Sequence, residues 1–241
     1  MAKNQPAYIS SNLRGHNSLV LPREIWQASG IVIMGRRIKS LVFTTDIAII
    51  RNCNADAVLA VYPFTPQQLI AQSIIAASSI PVFCGVGGGV TDGMRSVILA
   101  KDAEALGAFG VVVNSPMKNS TVEVMQKVID IPIVSTVVSE TYDIDSRLKA
   151  GATILNVSAA ARTPEVVAAI RERYPDVPII ATGGTTGEGI LRTIEAGANA
   201  ISFTPPSTKD LFRGIMNDYR ERENAKPRRE EPEDVSLLDL L

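Results

Sequence analysis

The sequence predicts a (β/α)8 barrel with an N-terminal extension and a flexible C-terminal tail. The first observation is a set of apolar runs that begin in two alternating ways, with an apolar-Pro pair or with Gly-Ala. The apolar-Pro pairs are at 80–81, 131–132 and 177–178, and the Gly-Ala pairs are at 107–108, 151–152 and 197–198. The prolines are 51 and then 46 residues apart, and the glycines are 44 and then 46 apart. Such a period indicates a repeated supersecondary unit.

The second observation is the composition of each run. The runs are short, rich in Val and Ile, and apolar at successive positions, as buried parallel strands are. Proline is tolerated at the first residue of a strand, where no ladder donor is needed yet. Glycine after a helix supplies the left-handed C-terminal cap. A helical pattern with Thr163 as N-cap and Pro164 in its first turn lies between two of the runs.

Extending the pattern towards the N-terminus predicts eight strands. They are 40–44, 57–62, 80–85, 109–114, 131–136, 152–157, 177–182 and 198–203. Eight regular strand–helix units favour a closed barrel. A doubly wound open sheet is the alternative, since it shares the alternation of strands and helices.

Three segments follow from this count: an extension over 1–39, the barrel over 40–222, and a charged linker with a leucine-containing tail over 223–241. The apolar stretch 30–35 predicts an additional strand. We expect the extension to cap the bottom of the barrel or to pair with a neighbouring subunit. We also expect a homo-oligomer, formed through the extension or the tail.

Composition excludes several classes of protein. Hydrophobic residues make up 46% of the chain and charged residues 20%, which is enough for a large core. A net charge of -1 gives no basic bias for nucleic acid. No apolar run is long enough to span a membrane, and we expect no membrane partner. Cys53 and Cys84 form no CxxC pair, which argues against a disulfide framework and favours a cytoplasmic location.

The predicted strand ends are polar but mostly uncharged. In a barrel of this kind the active site lies at the carboxyl ends of the strands. Short side chains that donate and accept hydrogen bonds at these ends predict a cup that binds a substrate. The predicted substrate-binding residues are Thr45, Asn114, Ser135, Asn156, Thr182 and Thr204.

A glycine turn follows the seventh predicted strand. Gly183 and Gly184 would let the backbone approach an anion, and Thr185 would add a hydroxyl donor at the start of the next helix. Barrels often bind phosphate at this position. The alternative interpretation is a tight turn with no ligand.

The segment IATGGTTGEGILRTIEAGANAISF, residues 180–203, resembles the corresponding part of the phosphate-binding (β/α)8-barrel superfamily. That group includes N-acetylmannosamine-6-phosphate epimerase, thiamine-phosphate synthase and FMN-dependent barrels related to nitronate monooxygenase. The similarity in pattern covers roughly residues 80–220. It implies a phosphorylated small molecule as ligand, and FMN as a possible cofactor.

The chain departs from this group after the eighth predicted strand. The group usually has a second glycine-rich turn there, but Pro205 and Pro206 follow Thr204 and remove two N–H donors. A phosphate would then use Ser207 and Thr208. The catalytic lysine of the epimerase has no counterpart on a predicted strand.

Few residues qualify as catalysts. Asp46 follows the first predicted strand, and Lys118, Glu140 and Arg162 lie in later loops, so a general base and a cation could come from these four. The alternative for each is a solvated loop charge. The one histidine, His16, lies in the extension, which disfavours a catalytic triad and a histidine metal site. Cys84 therefore reads as a buried small side chain, and we expect no metal.

The glycine-rich loop over 84–93 is a weak match to a dinucleotide fingerprint. It fits either a rim loop that admits a ligand or a turn without function. Three functions stay open. They are a small cytoplasmic lyase or isomerase acting on a phosphorylated metabolite, an FMN-binding oxidoreductase, and a non-catalytic barrel for metabolite sensing or assembly.

Overall fold

The computed structural model describes residues 19–184 and 186–225. It forms two compact units, which divide after Pro205. The first unit contains all of the strands. The helix that follows the last strand belongs to the second unit.

The elements of the first unit alternate as predicted, after a short hairpin. The strands are β1 Ile31–Ile33, β2 Arg36–Ile38, β3 Ser40–Phe43, β4 Ala57–Ala60, β5 Val82–Gly87, β6 Gly110–Val113, β7 Ile133–Val137, β8 Ile154–Val157, β9 Ile179–Thr182 and β10 Ala200–Phe203. The helices are α1 Ile47–Arg51, α2 Gln68–Ala77, α3 Met94–Ala105, α4 Asn119–Gln126, α5 Ile144–Lys149, α6 Thr163–Arg173 and α7 Gly187–Glu195. Short 3₁₀ helices span Arg23–Gln27 and Ala160–Arg162.

The eight strands β3 to β10 close on themselves. Each strand pairs in parallel with the next one along the chain, and β10 pairs in parallel with β3 through Ile201 and Ser40. The predicted eight-stranded (β/α)8 barrel is therefore confirmed, and the open sheet is wrong. Closure leaves no free strand edge between β3 and β10.

Several strands begin about two residues later than predicted. The carbonyl groups of Pro81, Pro132 and Pro178 accept hydrogen bonds from Val58, Val111 and Leu155 on the preceding strands. Proline has no N–H with which to continue the pairing on its other side. The regular ladder therefore starts just beyond each proline.

The interior of the barrel is filled by alternate residues of the strands. Leu41, Leu59, Phe83, Val134 and Ile180 belong to one buried cluster. Side chains of a strand point alternately to its two faces, so these positions fix which neighbours also point inward. In each strand the residue two positions further on faces the carboxyl end of the barrel.

The β1–β2 hairpin packs against the same cluster. Ile31 and Ile38 pair across the hairpin, and both belong to the buried core. Met34 and Gly35 at its turn have φ of 47° and 76°, the combination of a type I′ turn. The strand predicted within 30–35 is present as β1, and the hairpin lies against the interior of the barrel.

The second unit contains helix α8, Thr208–Ala225. The hydroxyl of Ser207 accepts the N–H of Asp210 and donates to its carboxylate. The leucine tail lies outside the described residues. The predicted domain boundaries and the homo-oligomer stay predictions. None of the helices in the described ranges has both the length and the apolar character needed to cross a membrane.

The burial pattern of the β1–β2 hairpin predicts different losses of stability for two substitutions in it. Ile38→Ala should lower the free energy of unfolding by about 2–5 kcal/mol, because it removes a fully buried side chain. Val32→Ala changes a residue of the same hairpin that is 65% exposed and should change stability by less than about 0.5 kcal/mol. Urea unfolding measures both. Equal small effects would mean that the hairpin is not part of the folded core.

Candidate active site

A cavity of about 230 Å³ opens at the carboxyl ends of the barrel strands. Each lining residue lies two or four positions further along the chain than an inward-facing residue of the buried core. They are Phe43, Leu59, Val61, Asn114, Thr136, Asn156, Ser158, Thr182, Ser202 and Thr204. We call this space the central cavity.

The central cavity has an apolar wall and a polar wall. Phe43, Leu59 and Val61 come from β3 and β4 and their ends, whereas the hydroxyl and amide groups come from the ends of β6 to β10. None of the ten lining side chains carries a charge. The cavity therefore suits a ligand, or part of one, that is polar and uncharged on one side.

The structure brings four predicted substrate-binding residues together here: Asn114, Asn156, Thr182 and Thr204. Ser135 lies elsewhere. Its neighbours Val134 and Thr136 point into the barrel, so Ser135 points to the opposite face of β7, and it is completely buried. Thr45 lines a wider adjoining cavity instead.

Three polar lining residues were not predicted: Thr136, Ser158 and Ser202. Each lies two residues beyond an inward-facing core residue: Val134, Asn156 or Ala200. Counting inward positions along each strand could have found them. Strand ends alone do not reveal which of two adjacent polar residues points inward.

Asn114 is fixed through its backbone. Its N–H donates to the carbonyl of Gly87 at 2.9 Å, and its carbonyl accepts the N–H of Met117 at 3.0 Å. Its side-chain amide makes no hydrogen bond to any residue in the described ranges, so it is available to a ligand.

The side-chain amide of Asn156 is only partly hydrogen-bonded. Its Nδ2 donates to Thr136 Oγ1 over a long 3.3 Å, and its Oδ1 is buried and accepts no bond from the described part of the chain. An unpaired buried amide oxygen costs about 1–3 kcal/mol. A donor on a ligand or a water in the cavity would remove that cost.

The glycines of the loop after β5 serve packing. A Cβ on Gly88 would lie 2.6 Å from Asn114 Cβ and 2.8 Å from its N atom, and one on Gly87 would lie 2.4 Å from Ser96 Oγ. Gly89 has open space around the same position. Gly88 therefore lets this loop approach the end of β6 at Asn114, and Gly87, the last residue of β5, lets it approach Ser96 of α3.

Cys84, on β5, is not a candidate nucleophile. Its side chain is almost completely buried, and burial raises the pKa of its thiol to about 12. The thiolate, which is the reactive form, is therefore negligible near neutral pH.

The two glycines after β9 differ in environment. The N–H of Gly183 points to the carbonyl of Ser202 at 3.4 Å, and a Cβ there would meet Ile201 at 2.6 Å. Gly184 has φ of 76°, is exposed, and would leave a Cβ in open space. The N–H of Gly184 has no acceptor among the described residues. Thr185 lies outside them.

Helix α7 begins directly after this turn. The hydroxyl of Thr186 accepts the N–H of Gly189 at 3.2 Å and caps the helix. The carboxylate of Glu24, from the Arg23–Gln27 helix, lies against Gly187, where a Cβ would be 2.9 Å from Glu24 Oε1. The helix start thus already has two negative side chains, Glu24 beside it and Glu188 in its first turn, which the helix dipole favours. Nothing in the sequence links Glu24 to this helix.

Asp46 caps a helix in the structure. Its Oδ1 accepts the N–H groups of Ala48 at 2.8 Å and Ile49 at 3.3 Å, at the start of α1. Its own N–H donates to Thr44 Oγ1 at 3.1 Å. These bonds account for an acidic residue at this strand end, and Asp46 does not line the central cavity.

The other three candidate catalysts are paired; Lys118 and Arg162 are exposed, whereas Glu140 is half-buried and its Oε2 is buried without a hydrogen bond from the described residues. Lys118 lies 3.8 Å from Asp92, and Arg162 forms an ion pair with Glu140. The pKa of Glu140 is lowered by a bond from its own N–H and by the bond from Arg162, so this carboxyl is ionised at neutral pH. None of the three lines the central cavity. Ser207 and Thr208, the second pair of phosphate candidates, belong to the second unit.

The fold and cavity define the class: a (β/α)8 barrel with an uncharged, partly polar cavity at the carboxyl ends of its strands. No family model matches the chain, and no curated protein sequence matches it. Solved structures share the fold. One is phosphoenolpyruvate phosphomutase from Streptomyces platensis subsp. rosaceus, with 14% identity, a TM-score of 0.56, and 84% of this chain and 85% of that chain covered.

Two further structures extend this result. The first is 2,3-dimethylmalate lyase, described as a PEP mutase/isocitrate lyase superfamily member, with 11% identity, a TM-score of 0.57, and 90% and 91% coverage. The second is thiamine phosphate pyrophosphorylase from Pyrococcus furiosus, with 15% identity, a TM-score of 0.54, and 74% and 95% coverage. At these identities the likeness establishes the fold.

The loop after β5 predicts different effects for two adjacent glycines. Gly89→Ala should cost about 1 kcal/mol, because alanine is strained at its φ of 85°. Gly88→Ala should cost about 1–3 kcal/mol more, because its Cβ would overlap the backbone of Asn114. Urea unfolding of the two variants gives the comparison. Equal losses would contradict the close approach.

Proposed function

We propose that the chain is a small barrel enzyme, a lyase or isomerase, that acts on a phosphorylated metabolite. The observation that carries the proposal is the convergence of hydroxyl and amide groups from five consecutive strands on one uncharged cavity. Enzymes of this fold react their substrates at this end of the barrel. The names of a phosphomutase, a lyase and a thiamine phosphate enzyme among proteins of the same fold add support.

The phosphate would lie at the turn between β9 and α7. Gly184 offers an N–H with no acceptor in the described ranges, open space, and a position just before a helix N-terminus. These are the properties of a backbone anion site. Gly183 contributes the packing that brings the turn close to β10. Glu24 would limit the affinity for phosphate, because its carboxylate would repel a phosphate at the start of the same helix.

The polar wall would act on the substrate oxygen atoms. Hydrogen-bond donors aimed at an oxygen that gains negative charge stabilise an enolate or alkoxide in a site shielded from water. The side-chain amides of Asn114 and Asn156 can supply such donors. Proton transfer would use an ionisable group at the rim of the cavity. We propose the carboxylates of Glu140 and Asp46 for this role.

A non-catalytic metabolite-binding barrel is the second candidate. It is favoured by the absence of a charged side chain among the residues that line the central cavity. In this case the same contacts bind the ligand, and no bond in it changes.

Two cofactors bear on the choice. Mg²⁺ accompanies oxalate in a phosphonopyruvate hydrolase of this fold, but residues 19–184 and 186–225 contain no group of three His, Cys, Asp or Glu side chains that could hold a metal ion. Mg²⁺ is usually held by one or two carboxylates together with waters and substrate phosphates, so this finding does not exclude it. FMN stays a prediction, and the visible absorption spectrum of the purified protein tests it.

Anion binding can be tested with one variant that adds a negative charge at the turn and another that removes a negative charge beside it. Gly184→Asp should abolish binding of inorganic phosphate and sugar phosphates, because it adds a negative charge at the turn. Gly184→Asn has nearly the same shape without the charge and tolerates a positive φ equally well. Glu24→Gln should tighten phosphate binding severalfold at low salt. Calorimetric titration gives the affinities, and circular dichroism confirms folding.

The proposal fails if the wild type binds none of these anions at millimolar concentration. It fails also if folded Gly184→Asp binds them as well as Gly184→Asn does.

Turnover separates the enzyme from the binding protein. Proton NMR in D₂O with dihydroxyacetone phosphate, fructose 6-phosphate and phosphonopyruvate should detect deuterium exchange next to a carbonyl, or a new product. Asn114→Ala should lower that rate at least tenfold, since a lost bond to developing charge is worth about 1.5–3 kcal/mol. The exposed amide variant Gln72→Ala is the control. Binding without exchange or product would favour the non-catalytic barrel.

A further inference from the structure

A second cavity adjoins the central one. It has a volume of about 240 Å³ and lies between the loops that follow β4 and β5. Val61 and Asn114 line both cavities, and they also line a wider opening of about 460 Å³ beside Thr44 and Thr45. These two residues therefore stand at the junction of the three spaces. We call the second space the lateral cavity.

Most side chains that line the lateral cavity are apolar, whereas glycine backbone, Thr65, Thr91 and Asn114 supply polar surface. One side consists of Tyr62, Phe64 and two prolines, and the other is glycine backbone, where Gly87 and Gly88 leave no side chain in the way. The hydroxyl of Tyr62 is already used, since it accepts the N–H of Gln67 at 2.9 Å. The described lining contains no charged side chain.

Two apolar side chains at the lateral cavity are open to solvent. Phe64 is 74% exposed, and Val90 is fully exposed. Val90 lies at the tip of a tight turn, which the N–H of Gly88 closes on the carbonyl of Thr91 at 2.8 Å. Exposed apolar side chains grouped at a cavity mark a binding surface.

The volumes of the central and lateral cavities, together with their different linings, favour a ligand that spans both. Sites for small molecules measure about 300–1,000 Å³. Neither the central nor the lateral cavity reaches that size, whereas the two joined past Val61 and Asn114 do. We infer that the ligand has two ends. Its phosphate lies at the turn after β9, its uncharged polar part occupies the central cavity, and an aromatic ring or branched alkyl group passes Val61 into the lateral cavity.

This inference rests on the proposed function for the phosphorylated end alone. The lateral cavity can be probed without phosphate, using benzyl alcohol as an apolar ring with one hydroxyl and glycerol as the polar control. Methyl NMR of valine-labelled protein reports on Val61 and Val90 at the cavity. Val124 and Val128, about 40% exposed on and just after α4, report on unspecific surface binding.

Benzyl alcohol should shift the methyl signals of Val61 and Val90 in a saturable way, and glycerol should leave Val90 unchanged. Val61→Phe fills the junction and should weaken benzyl alcohol binding at least tenfold, as seen at Val90. Val138→Phe makes the same change at an exposed rim valine outside the three cavities. Val90→Asp, at a fully exposed position, tests the same site through Val61 if Val61→Phe does not fold.

Equal shifts at Val124 and Val128, or unchanged affinity in Val90→Asp, would overturn the inference. The amide signal of Gly184 during a phosphate titration reports on the proposed function separately. If benzyl alcohol binds at Val61 while phosphate leaves Gly184 unaffected, the apolar subsite stands and the phosphate proposal fails. If phosphate binds and benzyl alcohol does not, only the two-ended ligand is wrong.

Discussion

Closure of eight parallel strands fixes which side chains can meet at the site. Once Leu59, Val134 and Ile180 fill the interior, alternation along each strand commits the residues two positions further on to the same space. Below that level the inward side chains are apolar, and above it those of β6 to β10 are hydroxyls and amides. The central cavity is therefore a continuation of the core, in which the chemistry of the side chains changes while the packing geometry persists.

This origin explains why the cavity is uncharged. A charge so close to a packed apolar core would lose most of its hydration, at a cost that only a close partner could offset. The charged groups of this end lie on the rim instead, where Lys118 faces Asp92 and Glu140 faces Arg162. Arg162 is largely exposed and Glu140 is half-buried, so water still screens this pair and limits what it adds to stability. Chemistry in the cavity must then rely on hydrogen bonding, on the ligand's own charge, or on a rim group that approaches the ligand.

Much of the barrel could be predicted, because proline and glycine mark the strand starts and helix ends independently of distant contacts. Side-chain direction was harder: Ser135 and Thr136 are adjacent polar residues, and only the register of β7 with its neighbours decides that Thr136 points inward. Asp46 caps α1 in the structure, and because helix caps and catalytic acids at strand ends share one sequence signal, the sequence does not separate the two roles. Glu24 could not be found at all, since its place beside Gly187 depends on how the N-terminal segment packs against α7.

The two glycines after β9 are adjacent in sequence but are required for different structural reasons. Gly183 is needed by the fold, because any side chain there would press on Ile201 and separate α7 from β10. Gly184 is needed by the conformation of the turn, and the space around it is empty. A tight turn alone explains its positive φ, which asparagine could also adopt. The N–H of Gly184 has no acceptor among the described residues, and it is the group on which an anion would act. The balance there lies between this N–H and the carboxylates of Glu24 and Glu188, so the net field at the turn, and not the glycines themselves, determines whether phosphate binds.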